Sequence, residues 1–172
     1  MNSSMLKYGL LLILLPVFQL SIFNNINLLG YIDPYFYIIF IIVYPFKKDR
    51  TSLLLSSFLL GIFIDLLTND GGIHTFSLVF IAYFRRIPLQ VFASKTPLEL
   101  EETSIQNINF PVLFLWISSL TLIHHFLVFL LEQFSFENFG NLLLKTFLSA
   151  ILTILLILFS LQLFLTKKSN AQ

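Results

Sequence analysis

The apolar run from Pro111 to Leu131 carries no Asp, Glu, Lys or Arg. As a helix rising about 1.5 Å per residue it spans a hydrocarbon layer of about 30 Å. Other runs like it follow and precede it, and no soluble core can enclose so many at once. Composition agrees: 57% of the 172 residues are hydrophobic, 11% are charged, 21 are phenylalanine, and the mean hydropathy is +0.89. In lipid each backbone polar group needs an internal partner, which a helix supplies by itself, so the chain reads as an all-α integral membrane protein with the lipid bilayer as its surroundings. The net charge of +1 comes from basic residues placed at the ends of apolar runs rather than along one stripe, which excludes nucleic acid as a partner. With no cysteine, disulfides, iron–sulfur clusters and thiolate zinc sites are excluded as well.

Six transmembrane helices are expected in one domain, residues 1–172, at about 6–23, 34–46, 52–67, 73–87, 111–131 and 139–165. No small-residue cleavage pattern follows the first, so it should stay as a helix. Pro16 removes a bond to the carbonyl of Leu12 and predicts a kink, and Gln19 is a candidate hydrogen-bond donor to a neighbour; a simple kinked anchor is the alternative. After a polar link over Asn24 to Asp33, Asp33 and Pro34 have the chemistry of an N-cap and first helical residue. The second helix, ending at Phe46, covers only about 20 Å, so either the bilayer thins around it or protein surrounds it. Beyond Pro88 a polar link reaches Asn109, with Thr96 and Glu99 at capping-box spacing and Leu98 and Leu100 suggesting a short surface helix. Nine of the ten lysines and arginines fall on the side of both termini, and only Lys145 falls on the other. By the positive-inside rule both termini are cytoplasmic and the turn Thr68 to Gly72 faces outward.

That turn joins the two apolar helices around which the chain is organised. Gly61 and Asp65, four residues apart, share one helical face, and an intramembrane carboxylate normally faces a bundle interior or a water-filled cavity. Asn69, Asp70, Gly71 and Gly72 suit a chain reversal. His74, two residues beyond it, is the nearest partner for Asp65; hydration of both near the head groups is the alternative. At a purely structural site Asp65→Asn would be tolerated. Asp65, His74, His124, His125, Glu132 and Lys145 all fall in the outer half of the membrane under this topology. His124 and His125 are adjacent and diverge by about 100° on a helix, a poor geometry for one metal ion. Ser56 and Ser57 lie far in depth from the histidines, Asp65 is the only acid well inside a span, and there is no phosphate-binding loop. The pattern therefore predicts no catalytic set, no metal site and no cofactor. The phenylalanines read as lipid-facing or core-filling.

The order of these features resembles the family of rod shape-determining membrane proteins, MreD. The likeness runs through LPVFQLSIFNNINLLGYIDPYFY, with Pro16, Gln19, Gly30 and Pro34, and through LLGIFIDLLTNDGGIHTFSLVFIAYFRR, with Gly61, Asp65, Gly72 and His74. It covers about the first 90 residues; the last two helices match only in length and hydrophobicity. The resemblance implies a non-enzymatic scaffold subunit of the bacterial elongation machinery in the inner membrane. It also implies binding to the single-span protein MreC and, indirectly, to the MreB filament and a glycosyltransferase–transpeptidase pair, with a homodimer as one option. The family's fold is similar to the six-helix substrate-binding subunit of energy-coupling vitamin transporters, which supplies the alternative function of a small-molecule-binding membrane subunit. That transporter family carries small residues at Ala-x-x-x-Ala spacing in its first span, and LLILLPVFQLSIF has none.

Overall fold

The computed structural model describes residues 3–23, 32–134 and 138–169, with side chains over 8–23, 32–134 and 138–163. The link expected over 24–33 lies outside them except for its last two residues, and Gly30 and the side chains of Lys7, Lys167 and Lys168 lie outside them too.

A short segment enclosed by longer helices forms the centre. The expected helix over 34–46 is instead a 3₁₀ turn, Phe36–Ile38, running into a one-turn helix α2, Ile39–Val43. Tyr37, Ile38, Phe40, Ile41 and Ile42 are wholly buried, so protein surrounds this element. Asp33 does not cap it: Tyr35 holds the N-cap position without a side-chain bond, and the Asp33 carboxylate pairs with Lys145 Nζ at 2.8 Å. The physical reason is that neighbouring helices already provide for the backbone here, as they must where non-helical chain lies at membrane depth. Gln19 Nε2 donates to Pro34 O at 2.8 Å while its Oε1 accepts from Phe36 N at 3.0 Å. Ser149 Oγ accepts from Asp33 N, and Thr153 Oγ1 from Tyr35 N. At the other end Arg85 Nη1 donates to Ile41 O at 2.7 Å and Tyr44 O at 2.8 Å, its Nη2 to Pro45 O at 3.1 Å, and Arg86 Nη2 to Phe46 O at 2.9 Å.

Around this segment stand α1 (Ser3–Ser21), α3 (Arg50–Thr68), α4 (Ile73–Phe84) with its continuation α5 (Arg86–Ala93), α7 (Phe110–Gln133) and α8 (Phe139–Ser169). α1 runs through Pro16, whose ring is buried. The fourth helix does not stop before Pro88, which sits in the first turn of α5, where a missing N–H breaks no intrahelical bond. Among the described residues four helices are long and apolar enough to cross a membrane: Arg50–Thr68, Ile73–Ala93, Phe110–Gln133 and Phe139–Leu163. The apolar part of α1, Tyr8–Ser21, is shorter. Phe58, Phe63, Phe76, Phe147 and Phe159 point away from the protein, as a lipid-facing surface requires. The link after Ala93 forms α6, Pro97–Glu101, with the complete Thr96–Glu99 capping box. The Thr96 backbone N–H and hydroxyl hold the Glu99 carboxyl below its usual range. Only one of its two leucines faces inward: Leu100 is buried and Leu98 exposed.

Candidate functional site

α3 and α4 meet through the residues that the sequence singles out. A Cβ at Gly61 would collide with the Thr75 backbone, lying 2.9 Å from Thr75 N, so the close approach of the two helices depends on glycine. Asn69 (φ 65°), Gly71 (φ 62°) and Gly72 (φ 100°) carry the reversal in left-handed backbone. Gly72 is the N-cap of α4 and has no side chain with which to bond the exposed amides of the first turn. Asp65 supplies what it lacks. Its Oδ1 accepts from His74 N at 3.0 Å and its Oδ2 from Thr75 N at 2.9 Å and from the Thr75 hydroxyl. Asp65 and His74 are thus joined, but through the backbone N–H of His74, and α4 receives a carboxylate at the positive end of its dipole.

The His74 ring turns the other way, into a line of polar side chains. Its Nε2 lies 3.1 Å from Asp70 Oδ2 and its Nδ1 2.6 Å from Tyr37 Oη. A carboxylate only accepts, so Nε2 bears the proton, Nδ1 accepts from the tyrosine, and the tyrosine oxygen faces His124 Nε2 at 3.4 Å. His125 braces α7 to α8, with Nδ1 donating to Thr121 O at 2.9 Å and Nε2 at 3.1 Å from Thr153 Oγ1. Tyr35 packs against His74, His124, His125 and Phe129, with ring centroids 4.9–5.8 Å apart. Among the described residues no three His, Asp or Glu side chains converge on a position for a metal ion.

Above this floor lies a cavity of about 330 Å³ between α1, α3 and the central segment. Asp33, Asp70 and Glu132 stand in its wall with Tyr35, Tyr37 and His74. Lys145 Nζ reaches Asp33 at 2.8 Å and Glu132 at 3.8 Å, and Tyr35 Oη donates to Glu132 Oε1 at 3.3 Å.

Comparison with protein-family models, curated proteins and solved structures returns no match for this chain. The reading of the site therefore rests on its geometry.

Of the residues named from sequence, Gly61, Asp65, Gly72 and His74 come together at the head of α4, while Gln19 and Pro34 meet at the head of the central segment. Pro16 lies in α1, one turn before Gln19. Sequence reasoning missed Tyr35 and Tyr37, which arrive from the segment expected to be a short helix, and read Asp33 as an N-cap rather than as a residue of the cavity wall. It also missed Arg85, read as an end-of-span charge. The shortness of the run over 34–46 was the available signal: an enclosed half-helix must find donors for its last carbonyls.

Proposed function

We propose that the chain is a non-enzymatic scaffold subunit of a bacterial inner membrane, crossing it six times with α1 and the central segment completing the set. In this reading, which follows the resemblance to the MreD family, it holds the single-span partner MreC. Through MreC it holds the glycosyltransferase–transpeptidase pair beneath the MreB filament, in support of peptidoglycan synthesis and cell shape. The observation that carries the reading is the use made of Gly61, Asp65 and Gly72: all three join α3 to α4, and none presents a reacting atom. The line Asp70–His74–Tyr37 has the outward form of an activated hydroxyl, but the Tyr37 side chain is 0% exposed and its hydroxyl is bonded to His74. Lipid-facing apolar surface on α3 and α8 is available to another protein's span.

Affinity purification in mild detergent tests the reading. Co-purification of a single-span scaffold, lost in Gly61→Leu, is the expected result; recovery of a transporter ATPase in its place would overturn it. The cavity beside Tyr35 favours a second reading, a small-molecule-binding subunit of an energy-coupling transporter. The absence of small-residue spacing in the first span counts against it.

A further inference from the structure

We propose that the cavity between α1, α3 and the central segment binds a small organic ammonium. The inference rests on the cavity alone and stands beside either functional reading. Its volume, about 330 Å³, is at the lower end of the range of about 300–1,000 Å³ that small-molecule sites occupy. The wall is unbalanced in its hydrogen-bonding groups. Among the described residues the side-chain donors that line it are bonded within the protein: Gln19 Nε2 to Pro34 O, Thr68 Oγ1 to Ile64 O, Tyr37 Oη to His74 and His74 Nε2 to Asp70. Tyr35 Oη likewise points to Glu132. Acceptors of the wall are left over: among the described residues the second carboxylate oxygens of Asp33 and Asp70 have no donor. A ligand rich in acceptors would meet nothing, whereas an N–H donor meets several.

Charge points the same way. Asp33, Asp70 and Glu132 are three acidic side chains opposed by the ammonium of Lys145. The three carboxylates are partly exposed at the cavity, so a cation entering it meets them directly. Among the described residues the wall also has an apolar part, Leu20 of α1, Phe23 just beyond it, and Ile64 and Leu67 of α3. It suits an alkyl chain attached to the ammonium. Such a group is carried by free alkylamines and by ethanolamine headgroups of lipids.

The test is thermal unfolding of the full chain in phosphatidylcholine nanodiscs, titrated at neutral pH with n-hexylamine and, separately, with hexan-1-ol. The amine is then cationic and the alcohol matches its size without charge. The expected result is a saturable rise in Tm with the amine alone, its midpoint shifted at least tenfold in Asp70→Asn and in Glu132→Gln and unchanged in the remote Glu99→Gln. Two carboxamide variants are used so that misfolding of one leaves the other to decide. Repeating the titration with phosphatidylethanolamine in the nanodisc separates the sources: a higher midpoint identifies the lipid headgroup as occupant, an unchanged one a free amine, and both support the site. Equal effects of amine and alcohol, no saturation, or unmoved midpoints in the carboxamide variants would overturn it.

Discussion

Asp65 and Gly61 act as one device, a carboxylate that caps α4 from a helix that only glycine allows so near. Both Asp65 oxygens accept from N–H groups, so the tolerance of Asp65→Asn expected from sequence does not follow from the geometry. An asparagine presents its NH₂ to one of two buried donors, and Asp65→Asn should destabilise by about 1–3 kcal/mol, with Asp65→Leu worse because it leaves no acceptor at all. Thermal unfolding in detergent measures both; an unchanged Asp65→Asn would show that the cap contributes nothing. Gly61→Ala meets the Thr75 backbone and should cost a further, separately measurable amount of about 1–3 kcal/mol. The shared face of Gly61 and Asp65 was legible because four-residue spacing is a local property of a helix. The direction of the His74 ring was not, because its partner Tyr37 lies thirty-seven residues earlier in a segment whose depth and fold depend on tertiary packing.

The central segment is the element least like its sequence. Its apolar run looks like a span that is too short, yet its ends are held by Gln19, Ser149 and Thr153 on one side and by Arg85 on the other. Arg85 is 2% exposed, and its planar fork serves three carbonyls at once, those of Ile41, Tyr44 and Pro45. Its own carbonyl accepts from Trp116 Nε1 at 2.8 Å, tying the clamp to α7. Arg85→Met should therefore cost about 3 kcal/mol or more, since hydrogen bonds from a charged group are worth about 1.5–3 kcal/mol each. Arg85→Lys should recover part of the loss and no more, because a compact ammonium cannot reproduce the fork. Arg86→Lys, which disturbs one carbonyl and an exposed pair with Glu101, should cost much less. Unfolding midpoints of the three variants give the ranking, and equal losses at positions 85 and 86 would refute the clamp. Long helices and the Thr96 cap could be read directly, since periodicity and capping are written in adjacent residues. The clamp could not, because an arginine beside the end of a span has the same local sequence whether it meets water or buried carbonyls.

Across the whole molecule the charges separate by end. Lys48, Arg50 and Arg86 gather around one concavity, while Asp33, Asp70 and Glu132 gather with Lys145 at the other end, and α3 runs from Arg50 at the first to Thr68 at the second. Basic side chains resist translocation and acidic ones contribute little to orientation, so the end with Lys48 and Arg50 should face the cytoplasm and the cavity should open outward. The native chain has no cysteine, which makes this directly measurable without altering the background. Asn69 and Gln133 are exposed at the acidic end, and Glu102 is exposed in the link beyond α6. Single Asn69→Cys and Gln133→Cys variants should react with a membrane-impermeant maleimide in intact cells, and Glu102→Cys only after the membrane is opened. Asn69 and Gln133 close two different helices, α3 and α7, so agreement between them fixes the direction of both relative to the bilayer. Labelling of Glu102→Cys from outside, or protection of the other two, would reverse the topology and place the carboxylate-lined cavity on the cytoplasmic face, where no ligand or partner outside the cell could reach it.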